Sequence, residues 1–184
     1  MSILHALLQR NSHSKLVDPG PDRHQLEQIV AGGLRAPDHG RLRPWHFVAI
    51  EGNRRAVLGG IFEQALLLTH PEATEAERQK AQAAPLRAPL VIAGLVKPVE
   101  HPKVPRVEQV AAVACALYGM SLAAESLGFG TMWRTGRYAQ DALVVAELGA
   151  RPGDEIVGFL YVGTRQGEAK PLPEIQIEAH LDFY

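Results

Sequence analysis

Cysteine is nearly absent: Cys115 is the only one in 184 residues, so no disulfide can form within one chain. That predicts a reducing compartment, the cytoplasm by default. The stretch Met1 to His5 shows no basic segment followed by a long apolar one, so no secretory signal is expected. No uninterrupted apolar run approaches the roughly 20 residues that span a bilayer, which predicts no membrane partner. Charge of one sign is lacking as well. A formal net charge of -1 offers nothing for nucleic acid or an acidic membrane surface to grip.

Several chemistries are missing too. There is no Gly-x-x-x-x-Gly-Lys-Ser/Thr string for phosphate transfer and no Gly-x-Ser-x-Gly elbow. The eight histidines lack ligand spacing; His39 and His46 are the nearest polar pair, and no cysteine joins them, so no metal is expected. Cys115 lies in the apolar run Val110–Leu117 and reads as packing rather than as a nucleophile. No acid–base or nucleophile set is evident. That suits an enzyme whose cofactor carries the chemistry, so no catalytic side chain is named.

What is present suffices for one domain over residues 1–184, with 46% hydrophobic and 21% charged residues. A short helix is expected from Ser2 to Gln9, with Leu4, Leu7 and Leu8 on one face. Asp22 with Gln25 reads as a capping box that opens a second helix, striped by Leu26, Ile29, Val30 and Leu34. Strands are expected at Trp45–Ile50, Leu90–Val96, Thr131–Arg134 and Ile156–Val162. Glu72–Ala84 reads equally as a solvated helix or a mobile excursion, and helices are expected at Arg54–His70, Val107–Leu127 and Asp141–Leu148. The first of the last two lacks a broad polar face, which predicts burial on more than one side, as at the centre of a dimer. The tail, with Pro171 and Pro173, reads as an extended arm. Mixed helices and strands without a βαβ rhythm favour an α+β sandwich.

Three clusters could bind a ligand. Arg10, Asn11, Ser12, Ser14 and Lys15 can grip a phosphate, or can be a plain polar helix end. The segment 35–45 puts three arginines, His39 and Trp45 between prolines; it can hold a flat ligand, or simply join a helix to a strand. The segment 128–136, Gly-Phe-Gly-Thr-Met-Trp-Arg-Thr-Gly, lacks the third glycine of a dinucleotide fingerprint. Its glycines allow close approach to the backbone, and Trp133 can stack on a ring; a helix cap leading into a core strand is the plainer alternative.

Taken in order, these clusters resemble the nitroreductase family, and most closely its compact YdjA-like branch of NAD(P)H nitroreductases. The matching strings are Arg10-Asn-Ser-His-Ser-Lys15, Arg35-Ala-Pro-Asp-His39 with Pro44-Trp-His-Phe47, and Lys103-Val-Pro-Arg-Val-Glu-Gln109. Residues 128–136 and Ile156-Val-Gly-Phe-Leu-Tyr-Val-Gly163 complete the set. The resemblance implies a sandwich with a central, mainly antiparallel sheet flanked by helices, and a homodimer with FMN sites at the subunit interface. It implies that Arg10, Asn11 and Ser12, helped by Lys15, hold the phosphate and ribityl end. It implies that Arg35 and His39 reach the flavin from the partner chain, while Thr131, Met132 and Trp133 line its ring. It implies NAD(P) contacts at Ser121, Leu122, Ala123, Ala124, Glu125 and Ser126. Arg165 and Lys170 stand as candidates to reach the phosphate.

One departure matters. Where many members read Pro-Ser-x-x-Asn-x-Gln-Pro-Trp, this chain has Arg41 and Arg43 at the two amide positions. A guanidinium only donates, whereas an amide also accepts. The implied activity is a ping-pong transfer from NADH or NADPH through FMN to small nitroaromatic or quinone-like acceptors. The alternatives are a flavin-binding redox sensor without turnover, a scaffold subunit, or another superfamily reaction such as reductive dehalogenation.

Overall fold

Five strands form one antiparallel sheet with helices on both faces. A computed structural model describes residues 3–168 and 170–184 of the chain. Strands β2 (Trp45–Glu51), β3 (Leu90–Val96) and β5 (Glu155–Arg165) lie side by side, and β4 (Gly130–Arg134) pairs with β5. The two-residue strand β1 (Leu16–Val17) pairs with the last residues of β5.

Alternation along the strands makes two layers. Val91, Ala93, Leu95, Phe159 and Tyr161 face helices α3 (Arg54–Thr69), α4 (Glu75–Ala83) and α6 (Ala142–Glu147). Leu90, Ile92, Leu160 and Val162 face α2 (Arg23–Gly33) and α5 (Arg106–Ser126). Helix α2 begins with the expected capping box, Asp22 accepting from the Gln25 N–H and the Gln25 side chain from the Asp22 N–H. It crosses α5 closely because Gly33 has no Cβ. One there would fall 2.5 Å from Met120 Cγ and 2.7 Å from the Ala116 carbonyl.

Within a single chain α5 is covered on one face only, by residues such as Ala112, Val113, Leu117 and Met120. Val107, Ala111, Cys115 and Tyr118 form an exposed stripe on another face. Cys115 is therefore not packed inside its own chain, which corrects its reading as packing. Both faces are apolar, so no polar side marks the free one. The same feature makes α5 long and apolar enough to cross a bilayer by length and composition, although its other face packs on α2 and the sheet.

Smaller differences follow from pairing. β1 was not expected, since two residues carry no alternation; it exists because β5 runs past Gly163 to Arg165. Helix α1 (Ile3–Gln9) ends where expected, while its expected start at Ser2 lies outside the described residues. Ile3, Leu4 and Leu8 on it are exposed. The tail is exposed coil apart from one 3-10 turn, Ile177–Ala179.

Candidate functional site

A cleft of about 390 Å³ opens where α1 ends, α5 passes and β4 ends, lined by Arg10, Ser12, Tyr118, Ser121, Trp133 and Thr135. The alternation of β4 selects its wall. Thr131 pairs with Val162 and Trp133 with Leu160, both on the α5 face. Met132 and Arg134 pair with Tyr161 and Phe159 on the opposite face, so only the Met132 backbone is available to this cleft. The indole lies over Gly158, where a Cβ would fall 2.0 Å from Trp133 Nε1. Trp133 is thus seated by a glycine and still 37% exposed, a flat apolar face open to a ligand.

Polar groups fix the frame. The Ser121 and Thr131 hydroxyls meet at 2.6 Å in the interior, tying α5 to β4. The Asn11 carbonyl oxygen accepts from the Ser12 N–H at 2.9 Å, and its amide donates to the Lys170 carbonyl at 2.6 Å. Asn11 thereby shapes the turn after Arg10 and tethers the tail beside it. The Lys15 carbonyl accepts from the Gln166 N–H, while its side chain is exposed. Arg165 is engaged elsewhere, paired with Glu125 and donating to the Phe129 carbonyl.

The segment 121–126 is largely committed to the chain itself. Ser121 and Ala124 are buried, Glu125 pairs with Arg165, and Ser126 bonds the Ala123 carbonyl. Leu122 and Ala123 are half-buried. Among the described residues, His13 Nε2 and Glu125 Oε2 are buried without a hydrogen-bond partner. Burial, then Arg165, depresses the His13 imidazole below its ordinary value of 6.5, with Glu125 opposing. Burial does the same to His46, reinforced by Lys97.

These two shifts predict an acid-sensitive fold. The unfolded chain takes up protons near the ordinary imidazole value of 6.5, and the folded chain only at lower pH. Stability present above that value is therefore lost as pH falls through the folded values. Thermal unfolding from pH 7.5 to 5 should show a falling Tm, and His13→Gln should flatten the fall. A Tm curve identical to that of the parent chain removes His13 as a contributor.

Arg35 and His39 are exposed and lie elsewhere on the chain. His39 Nδ1 meets Glu108 Oε2 at 2.6 Å in the first turn of α5. Glu108 and Tyr118, the nearer of the two cleft residues on that helix, are 10 residues apart, so His39 meets α5 about 15 Å along the helix from the cleft at 1.5 Å per residue. Within one chain the two groups do not meet. The turn holding Arg41 and Arg43 is strained, with φ of 54° and 49°, and Asp38 anchors it by accepting from the Arg43 N–H at 2.7 Å. An asparagine would tolerate the left-handed conformation at position 41 better than arginine.

Tyr118 lies outside the clusters that the sequence singles out. Its one signal is that it is the one aromatic in a run of small apolar residues, three positions before Ser121. Thr135 belongs to the segment 128–136 but carries no signal of its own, because its place depends on how far β4 extends.

A family model described as the nitroreductase family matches residues 7–164. The Escherichia coli K12 protein YdjA, whose name carries a provisional NAD(P)H nitroreductase assignment, is 41% identical over 169 residues, covering 92% of this chain and 91% of YdjA. A nitroreductase-like protein from Bacillus cereus superposes with a TM-score of 0.84 at 23% identity, covering 100% of this chain and 96% of that one. NfnB from sphigopyxis sp. strain HMH, described as an FMN and NADPH-dependent nitroreductase, superposes with a TM-score of 0.78 at 19% identity, covering 100% and 99%. At such identities the two structures speak to the fold alone.

Proposed function

The chain belongs to the nitroreductase family, and from that premise we propose that residues 1–184 form one FMN-binding domain that uses NADH or NADPH to reduce flat, electron-poor acceptors such as nitroaromatics and quinones. The observation that carries the reading is the cleft itself. Its lining joins a cation and a hydroxyl, Arg10 and Ser12, to two aromatic rings, Tyr118 and Trp133. That combination of groups fits a phosphate joined to a planar ring. The FMN dependence of NfnB and the NAD(P)H in the name of YdjA support the same reading.

When bound, FMN supplies the hydride-accepting and hydride-donating ring that no side chain here offers. The protein's own work is positioning. Arg10 grips the phosphate by charge-assisted hydrogen bonds, and Asn11 holds the turn that presents it. Tyr118 and Trp133 keep water from the ring-binding end. Arg35 of a second copy offers positive charge to a reduced ring. His39 of that copy has its Nδ1 occupied by Glu108, which leaves Nε2 as the atom that can pass a proton. Reductant and acceptor enter the same opening in turn, a ping-pong order. A cytoplasmic setting suits a chain with one free thiol.

The reading requires two chains, since His39 lies about 15 Å along α5 from its own cleft and Arg35 is not among that cleft's lining residues. The exposed stripes of α1 and α5 supply apolar area for that contact. Light scattering at micromolar concentration should return twice the chain mass; a monomer would remove the shared site.

Flavin content is the direct test. Purified protein incubated with FMN should turn yellow and bleach when NADPH or NADH is added without oxygen, and a loaded flavin that does not bleach rejects the reductase reading. Arg10→Ala should weaken FMN retention by about 1–3 kcal/mol. Unchanged affinity in fluorescence titration takes Arg10 out of the site.

A further inference from the structure

A second cleft, of about 370 Å³, lies on the other face of the sheet, between α4 and the β4–β5 pair. Four cations line it: Lys80, Arg87, Arg134 and Arg137. None of them has a carboxylate partner among the described residues. The single acid in the wall, Glu77, is committed to the N-cap of α4, accepting from the Thr74 N–H and hydroxyl at 2.8 Å each. Arg137 hydrogen-bonds Thr69 Oγ1 and His70 Nδ1 and feels the Glu77 carboxylate only at longer range.

Arg134 points most directly to a ligand. Its guanidinium stands 5.6 Å from the centre of the Tyr161 ring, and its Nε is buried with no hydrogen-bond partner. A buried donor on a charged group costs free energy unless something accepts from it. Aromatic rings form part of the remaining wall, with Tyr138 stacked on Phe62 at 4.1 Å and Phe159 beside them, next to Leu66, Ala81 and Ala84. Burial pushes the Tyr138 and Tyr161 phenols up, so both stay neutral and can donate.

We propose that this cleft binds a small aromatic carboxylate, its anionic group taken by Arg134 with Lys80 and Arg137, its ring lying against the aromatic wall. The planar guanidinium fork matches a carboxylate, and the rings beside it match an aromatic body. The two clefts share one lining residue, Thr135, and are otherwise separated by β4, whose alternate side chains serve each. The site stands whether or not the first cleft holds flavin. If it does, an acceptor or effector of this class would sit just behind the strand that lines the ring.

Calorimetric titration of the full chain with benzoate and 4-nitrobenzoate, before and after loading with FMN, tests this. One site per chain is expected in both states. Arg134→Met should weaken binding about tenfold or more, and Lys80→Met, on the exposed side of α4, several-fold with an unchanged Tm. No saturable binding at millimolar benzoate, or equal binding by both variants, overturns the proposal. Inorganic phosphate binding as tightly as benzoate overturns the aromatic part. Loss of benzoate binding on FMN loading assigns the cleft to the flavin instead. A chain that never takes up FMN still answers through the unloaded titration.

Discussion

Phe62→Ala is expected to remove about 3–5 kcal/mol of stability, the range for deleting a buried aromatic ring. Phe62 is 1% exposed at the centre of the layer between α3 and the sheet. Its ring lies parallel to Tyr138 at 4.1 Å and meets Phe159 edge-on at 5.6 Å, so truncation loses both contacts and leaves a void. Neighbours cannot collapse into it easily. Gly59, one turn earlier, already holds α3 against the end of α4, where a Cβ would fall 2.2 Å from the Gln82 carbonyl oxygen. At roughly 2–4 °C per kcal/mol for a chain of this size, Tm should fall by about 6–20 °C. Urea unfolding with an unchanged m-value checks that the loss is stability alone. A loss below about 1 kcal/mol would mean that this stack does not hold the layer together.

Gly158→Ala should cost about 1–3 kcal/mol and also reshape the first cleft. The new methyl would lie 2.0 Å from Trp133 Nε1 and 2.7 Å from its Cδ1, so the indole must leave its seat. Its open side faces the cleft, so the displaced ring takes up space that a planar ligand needs. FMN uptake should therefore fall together with stability. The double variant Gly158→Ala with Trp133→Ala separates the causes. Removing the indole removes the clash, so the two stability losses should sum to more than the loss in the pair. Strict additivity would show that Gly158 and Trp133 do not oppose each other. The cross-strand partner of Gly158 is Gly94, whose missing side chain makes room for Leu117 of α5 in the same way. The pair forms a shallow place in the sheet that seats one core residue and one cleft residue.

Much of the element order is legible in the sequence, for local reasons. Asp22 with Gln25 closes a capping box through side chains three residues apart, and the structure shows both bonds. Leu90–Val96 is an all-apolar run of strand length, and it is buried at every position. The site is legible only in part. Arg10 and Ser12 sit just after a helix end, and Trp133 follows a glycine pair, so proximity in sequence brings out each fragment. Their meeting in one cleft depends on β4 pairing with β5 beneath α5, which no local pattern encodes. Met132 shows the limit from the other side. It stands between two cleft-facing residues, and strand alternation turns its side chain to the α3 layer.

The sequence by itself determined the kind of chain this is: alternating and helical apolar patterns specify which segments become strands and helices, and five strings in register specify the family. Tertiary structure alone decided which face of α5 remains open, where the indole of Trp133 rests, and that Lys80, Arg87 and Arg137 gather with Arg134 in one cleft. The physical reason is range. Backbone preference and capping act over three or four residues, whereas the free face and both clefts arise from contacts between segments as far apart as 80 and 161, which exist only once the sheet has closed.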